Sequence, residues 1–133
     1  MSVKRSFQSA RDVMKTKLVF MDGMATAAEG VEKMRNEDVK ILIIEKRHPQ
    51  DAYGIVNVHD LIKGVIIPDK SSEEVNLFEI MTKPVISVPA DMDVRYVASL
   101  MMKIGLHMAP VEENKEFIGM VSLSDLIIRN MHF

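Results

Sequence analysis

Two short stretches hold the residues that could do chemistry. In Asn57-x-x-Asp60 and Ser122-x-x-Asp125 a side chain able to accept a backbone hydrogen bond stands three places ahead of a carboxylate. Each follows a glycine and a short apolar run, Gly54-Ile55-Val56 and Gly119-Met120-Val121, and leads into Leu61-Ile62 or Leu126-Ile127. That order predicts a strand, a turn and an amphipathic helix. As capping boxes the two motifs need no ligand, and each cap contributes about 1 kcal/mol of helix stability. As a site, the junction offers unpaired N–H groups and the positive end of a helix dipole, which suit an anion or a ribose phosphate. The acid would turn outward to accept hydrogen bonds from a pair of sugar hydroxyls, while Ser122 and nearby N–H groups hold phosphate. Both readings are open at this point, and the duplication weighs toward the second.

Other chemistries have less support. The chain has no cysteine, which excludes disulfides, thiolate metal sites and a cysteine nucleophile. His48, His59, His107 and His132 show no metal-ligand spacing on one helix face, so no metal is assigned. No nucleophile elbow or phosphate loop occurs, and an enzyme is not expected. A net charge of −2 over 133 residues argues against wholesale electrostatic binding to nucleic acid or anionic lipid. The first twenty residues are the exception, with Lys4, Arg5, Arg11, Lys15 and Lys17 against Asp12. A solvated terminal arm is the plainer reading of that excess. No apolar run reaches the length of a membrane span and no secretion signal opens the chain, so the default is a soluble cytoplasmic protein. Twelve methionines and no tryptophan predict an aliphatic, adaptable interior.

The elements that position the two motifs come from an internal repeat. At an offset of 67, Met14 falls on Met81, Ala27 on Val94, Met34 on Met101, Lys40 on His107 and Ile44 on Val111, without a gap. Two additional residues in the first copy then shift the offset to 65, which sets Gly54, Val56, Asp60 and Leu61 on Gly119, Val121, Asp125 and Leu126. Each copy predicts a lead-in helical turn (9–14; 76–81) and a brief strand (18–21; 85–88). A helix follows, with an apolar stripe at Ala27, Gly30, Val31, Met34 or at Val94, Val97, Ala98, Met101. Next come a buried strand (39–45; 106–111), a polar hairpin loop (46–51; 112–115), the second strand and a closing helix (58–65; 123–131). Gly30 inside a helical stripe suggests close approach of another backbone. The expected organisation is an arm (1–8), a first repeat (9–67), a polar linker (68–75) and a second repeat (76–133). Halves of about 60 residues are small to stand alone, so they would bury their leftover apolar faces on each other about a pseudo-twofold axis.

The order and spacing of Ile80-Met81-Thr82-Lys83-Pro84-Val85, of Gly105-Leu106-His107-Met108-Ala109-Pro110-Val111, and of Gly119-Met120-Val121-Ser122 with Asp125-Leu126 resemble a tandem pair of cystathionine-beta-synthase (CBS) domains. The resemblance covers nearly the whole chain. It implies an α/β (α+β) fold of two β-α-β-β-α CBS repeats, with clefts between the repeats that take AMP, ADP, ATP, S-adenosylmethionine or NAD, and modules that pair as homodimers. Carried over by position, Asp60 and Asp125 would hold ribose hydroxyls, with Asn57 and Ser122 beside them near phosphate. The main chain around Lys17, Leu18 and Val19 and around Lys83, Pro84, Val85 and Ile86 would frame adenine, and Ala109 and Ser124 would join the contact set. His107 matches the family's polar residue at the start of the second strand and Lys40 replaces it in the other copy. Met108 and Ile41 stand where the family often has Arg, and Asn57 departs from the usual Ser or Thr. The preferred expectation is a regulatory module that binds an adenosine-containing ligand and signals to an effector protein by a change of shape or assembly. Alternatives are a dimeric interaction scaffold with degenerate clefts, and nucleic-acid binding through the basic arm.

Overall fold

The computed structural model describes residues 7–130. Lys4, Arg5 and the rest of the arm before Phe7, together with Met131 and His132, lie outside them. The element order is α1 (Ala10–Val13), β1 (Phe20–Met21), α2 (Ala27–Glu37), β2 (Ile41–Ile44), β3 (Gly54–Asn57) and α3 (Val58–Leu61) with a π-helical continuation (Ile62–Ile66). Then follow α4 (Leu77–Ile80), β4 (Val88–Pro89), α5 (Val94–Ile104), β5 (Met108–Glu113), β6 (Glu116–Ser122) and α6 (Leu123–Ile128). Strand, helix, strand, strand, helix is thus repeated as the sequence predicts.

The chain forms two compact units that do not follow the repeat boundaries. One is continuous, Val19–Val85; the other joins the residues up to Leu18 with those from Ile86 onward. The reason lies in the lead-in helices, which dock on the opposite copy. In one unit Ala10 N donates to Met92 O at 2.9 Å and Arg11 N to Ala90 O at 3.0 Å. In the other, Leu77 N donates to Ala25 O at 2.8 Å and Phe78 N to Gly23 O at 3.0 Å. These are the same bonds in repeat-equivalent positions, so the exchange is reciprocal.

Each unit is a three-stranded sheet with helices. In the Val19–Val85 unit the order is β1-β2-β3, with β1 parallel and β3 antiparallel to β2. Every residue of Ile41–Ile44 is buried, as a continuous aliphatic run covered on both faces should be. α2 crosses between the parallel strands, opened by a capping box in which Glu29 N donates to Thr26 Oγ1 at 3.1 Å and Thr26 N to Glu29 Oε1 at 3.0 Å. Its stripe of Ala27 and Met34 packs with Leu42, Val56, Leu61 and Leu77. A Cβ on Gly30 would meet Leu77 Cδ2 at 3.0 Å and Leu42 Cδ1 at 3.3 Å. The glycine therefore admits two leucine side chains and not the backbone the sequence suggests.

The other unit repeats this plan as β4-β5-β6, with a core of Ala10, Val13, Val88, Val97, Met101, Ala109, Val111 and Val121. Most elements are shorter than expected: the brief strands reduce to Phe20–Met21 and Val88–Pro89, and α6 ends at Ile128; two further differences have a local cause. β5 runs on to Glu113, with a register shift after Val111, and turns through Asn114 and Lys115, both left-handed at φ 52° and 67°. Residues 112–113, expected in a loop, pair with Phe117 and Glu116 instead, because a two-residue turn of this hand matches strand twist. In the other unit, the closing helix of 58–65 is α-helical only to Leu61 and widens into the π turn where Gly64 faces Ile80. Among the described residues no helix is long and apolar enough to cross a membrane.

Candidate functional site

Glycine, capping acid and exchanged lead-in segment meet in the same way in both units. In the unit containing Asp125, Lys15 N donates to Met120 O at 2.9 Å and Met120 N to Lys15 O at 2.8 Å. The chain can lie that close because Gly119 has no side chain: a Cβ there would stand 2.8 Å from Lys15 O and collide with Met14. In the Val19–Val85 unit, Ile55 and Thr82 exchange the corresponding bonds at 3.0 and 2.8 Å. A Cβ on Gly54 would meet Met81 Sδ at 2.6 Å. The two motif glycines are thus seats for a methionine-bearing strand from the opposite copy.

That strand reaches the acids. Ser122 N donates to Asp125 Oδ2 at 3.3 Å and Asp125 N to Ser122 Oγ at 3.1 Å, closing the capping box. The other oxygen, Oδ1, lies 3.8 Å from Lys15 Nζ, with the Asp125 side chain 10% exposed. Asp60 repeats the arrangement. Its Oδ2 accepts from Asn57 N at 3.0 Å, its N donates to Asn57 Oδ1 at 2.9 Å, and its Oδ1 accepts from Thr82 Oγ1 at 3.0 Å. Lys15 and Thr82 are repeat equivalents. One carboxylate oxygen is spent on the cap, then, and its mate faces the lead-in strand.

The remaining expected residues divide. Ser124 joins the first group, its hydroxyl 3.0 Å from that of Ser122. Met108 pairs with Ser122, and Ala109, fully buried, with Val121; Ile41 pairs with Asn57 in the equivalent register. His107 is exposed just before β5 and not within a buried strand, because β5 begins one residue later; its carbonyl accepts from Leu123 N at 3.0 Å. Lys40 is exposed at the matching place. Lys17 and Leu18 belong with Asp125, whereas Val19 is core in the other unit, its carbonyl accepting from Ile43 N at 2.9 Å. Lys83, Pro84 and Val85 belong with Asp60, and half-exposed Ile86 begins the other unit. Of the N–H groups expected unpaired at the helix starts, those of Leu123, Asp125 and Asp60 have partners.

Sequence reasoning missed Lys15, Thr82 and Asp51. The first two could have been found by asking what the repeat sets before the expected adenine-framing segments. Asp51, in the β2–β3 loop, has no counterpart signal. Its Oδ1 accepts from Lys83 Nζ at 2.6 Å and its Oδ2 from Arg47 N and Nε at 3.0 and 3.1 Å. Lys83 first, and Arg47 with it, hold the Asp51 carboxyl well below the usual carboxylate range. No group of three metal-ligating side chains occurs among the described residues.

Two sheets of like topology, each completed by a segment of the opposite repeat and each bearing a capping acid against that segment, define a tandem-repeat α/β module. The chain belongs to the CBS domain family, whose model matches residues 10–66 and 77–131. An uncharacterised protein of Methanopyrus kandleri is 35% identical over 105 residues, spanning 77% of this chain and 52% of that protein. The mitochondrial CBS domain-containing protein CBSX3 of Arabidopsis thaliana is 30% identical over 131 residues, spanning 91% of this chain and 64% of that one. The chain therefore spans about half to two thirds of these relatives. Among solved structures, a hexameric CBS-CP12 protein from bloom-forming cyanobacteria superposes with a TM-score of 0.87 at 34% identity, covering 92% of this chain and 67% of that one. A CBS domain pair in complex with 5-methylthioadenosine and S-adenosyl-L-methionine superposes at 0.77 and shares the fold at 22% identity, covering 91% and 94%.

Proposed function

We propose that the chain is a regulatory module, not a catalyst, that binds an adenosine-containing ligand beside Asp125 and Asp60 and passes the resulting change of shape or assembly to an effector protein. AMP, ADP and ATP are the first candidates, with S-adenosylmethionine and NAD after them. The observation that carries this reading is the repeated placement of a carboxylate oxygen toward the lead-in strand, Lys15 in one unit and Thr82 in the other. A cap alone needs the acid but not that second contact. A ribose diol would exchange with it, donating two hydroxyls to a carboxylate that is already oriented. The adenosyl ligands of the solved CBS domain pair support the ligand class. Self-association is part of the proposal, supported by the hexameric relative.

Binding would act by linkage, shifting a pre-existing equilibrium only by the ligand's differential affinity, typically about 1–3 kcal/mol of coupling. Calorimetric titration with AMP, ADP, ATP, S-adenosylmethionine and NADH tests the reading, with light scattering for assembly. Binding tighter than roughly millimolar that Asp125→Ala weakens is the expected result. Unchanged binding in that variant, or no binding of any of the five, rejects it. A second reading, an interaction scaffold whose sites have decayed, draws on Met108 and Ile41 opposite Ser122 and Asn57, two uncharged side chains at those register positions. It predicts that Asp125→Ala lowers stability with no ligand-dependent melting shift to lose.

A further inference from the structure

The two acid-bearing motifs share their geometry but not the group that meets the outward oxygen. In one unit it is an ammonium, Lys15 Nζ at 3.8 Å from Asp125 Oδ1. In the other it is a hydroxyl, Thr82 Oγ1 donating to Asp60 Oδ1 at 3.0 Å. At 3.8 Å an ammonium attracts the carboxylate without a hydrogen bond, so a ribose hydroxyl can donate to Oδ1 of Asp125 and break none there. Thr82 takes one acceptor position of Asp60 and brings no charge. Lys15 is rooted by main-chain bonds: its N–H and carbonyl pair with Met120 at 2.9 and 2.8 Å, and the carbonyl of Met14 accepts from Arg129 Nη1 at 3.0 Å. Above that root the side chain is 67% exposed, on a flexible stem. The repeat sets Thr82 in the place of Lys15 and Gly64 in that of Arg129, so neither cation has a counterpart at those positions in the Asp60 unit.

We infer that Lys15 sets the ligand charge favoured at the Asp125 site: it balances the acid that holds the ribose, and so raises the affinity for adenosyl ligands that carry phosphate relative to the bare nucleoside. The inference rests on the proposed reading of Asp125 as a ribose-binding acid and adds the residue that selects among its ligands. A phosphate joined to a ribose on Asp125 is close enough to be repelled by the carboxylate, and an ammonium beside that carboxylate offsets the repulsion. Adenosine carries no charge and is indifferent to both. The effect needs the charge of Lys15 near the acid, not a hydrogen bond from it to phosphate. Because the side chain is mostly exposed, solvent and salt screen it, and the expected preference is about fivefold at low ionic strength.

The test is a heteronuclear NMR titration of the full chain with adenosine and with AMP at low salt, following the backbone amides of Met120 and Ser122 for one site and of Ile55 and Asn57 for the other. Lys15→Thr should weaken AMP about fivefold more than it weakens adenosine at Met120 and Ser122. Lys15→Arg, which keeps the charge, should hold the native ratio of the two affinities to within about twofold. Thr82→Lys should raise the AMP-to-adenosine ratio at Ile55 and Asn57 by about the same fivefold. In the native chain the ratio at Met120 and Ser122 should fall as sodium chloride rises from about 0.02 to about 0.3 M, and in Lys15→Thr it should fall less. Equal losses of AMP and adenosine in Lys15→Thr, an unchanged ratio there, or a Lys15→Arg variant as impaired as Lys15→Thr would each overturn the inference. A native ratio indifferent to salt would do so even if the variants fail to fold. If adenosine binds and only the ratios fail, the adenosyl reading survives. If Met120 and Ser122 respond to neither ligand, that reading of Asp125 fails and takes this inference with it.

Discussion

Gly119→Ala and Gly54→Ala are the same change at equivalent places in the two copies, and they should not cost the same. At Gly119 the new methyl would stand 2.8 Å from a main-chain oxygen, that of Lys15, as well as against Met14. Backbone cannot swing aside, so the lead-in strand must lift and stretch the paired bonds between Lys15 and Met120. Overpacking of this kind costs roughly 1–3 kcal/mol, and two weakened hydrogen bonds add about 1 kcal/mol each at most. A loss of about 3 kcal/mol follows, or roughly 12 °C in Tm at about 4 °C per kcal/mol for a chain of this size. At Gly54 all the close atoms belong to Met81, whose flexible side chain can rotate away, and about 1 kcal/mol is expected. Gly105→Ala is the control. It sits at φ 69° with nothing near its Cβ, so it reports left-handed strain alone, again about 1 kcal/mol. Thermal melts followed by circular dichroism measure all three. Met81→Ala in the Gly54→Ala background should reduce the collision, whereas Met14→Ala should not rescue Gly119→Ala. Equal losses at the two glycines, or a Gly119→Ala variant melting within a degree or two of the native chain, would refute the seat as described.

Other outcomes follow from the same contacts. Asp51 has a folded pKa below its unfolded one, so its pairing stabilises fully above the unfolded value near 4 and is lost as pH falls below that. Urea midpoints from pH 5 to pH 2 should therefore fall less steeply in Asp51→Asn than in the native chain. Thr26→Ala removes the hydroxyl that caps α2 and should cost about 1 kcal/mol in urea unfolding. Leu77→Ala empties a fully buried place where the exchanged α4 meets α2 and should cost about 2–5 kcal/mol, read by the same assay.

The sequence made the element order and both capping boxes legible because each rests on local rules: the apolar stripes of α2 and α5, and Ser122 or Asn57 three residues before an acid. Gly30 and His107 were misjudged because their surroundings are tertiary. Nothing near Gly30 in the chain announces that Leu77 will pack on it, and a strand that starts at Met108 and not at Leu106 leaves His107 in solvent. The exchange of lead-in helices was invisible for a related reason. A repeat reads identically whether each copy completes itself or its twin, and periodicity carries no address. Asp51 escaped notice because its loop has the composition of any exposed turn, and only the arrival of Lys83 gives it a role.

The nesting of one unit inside the other sets a timetable for synthesis. The Val19–Val85 unit is complete once its last residue leaves the ribosome, whereas Ala10 and Val13 must wait for Val88, Val97 and Val121 to be made. During that interval Ala10 and Val13 lack the core against which they pack. Any helper that shields them, or any intruder that captures them, would act on the nascent protein before the second sheet exists.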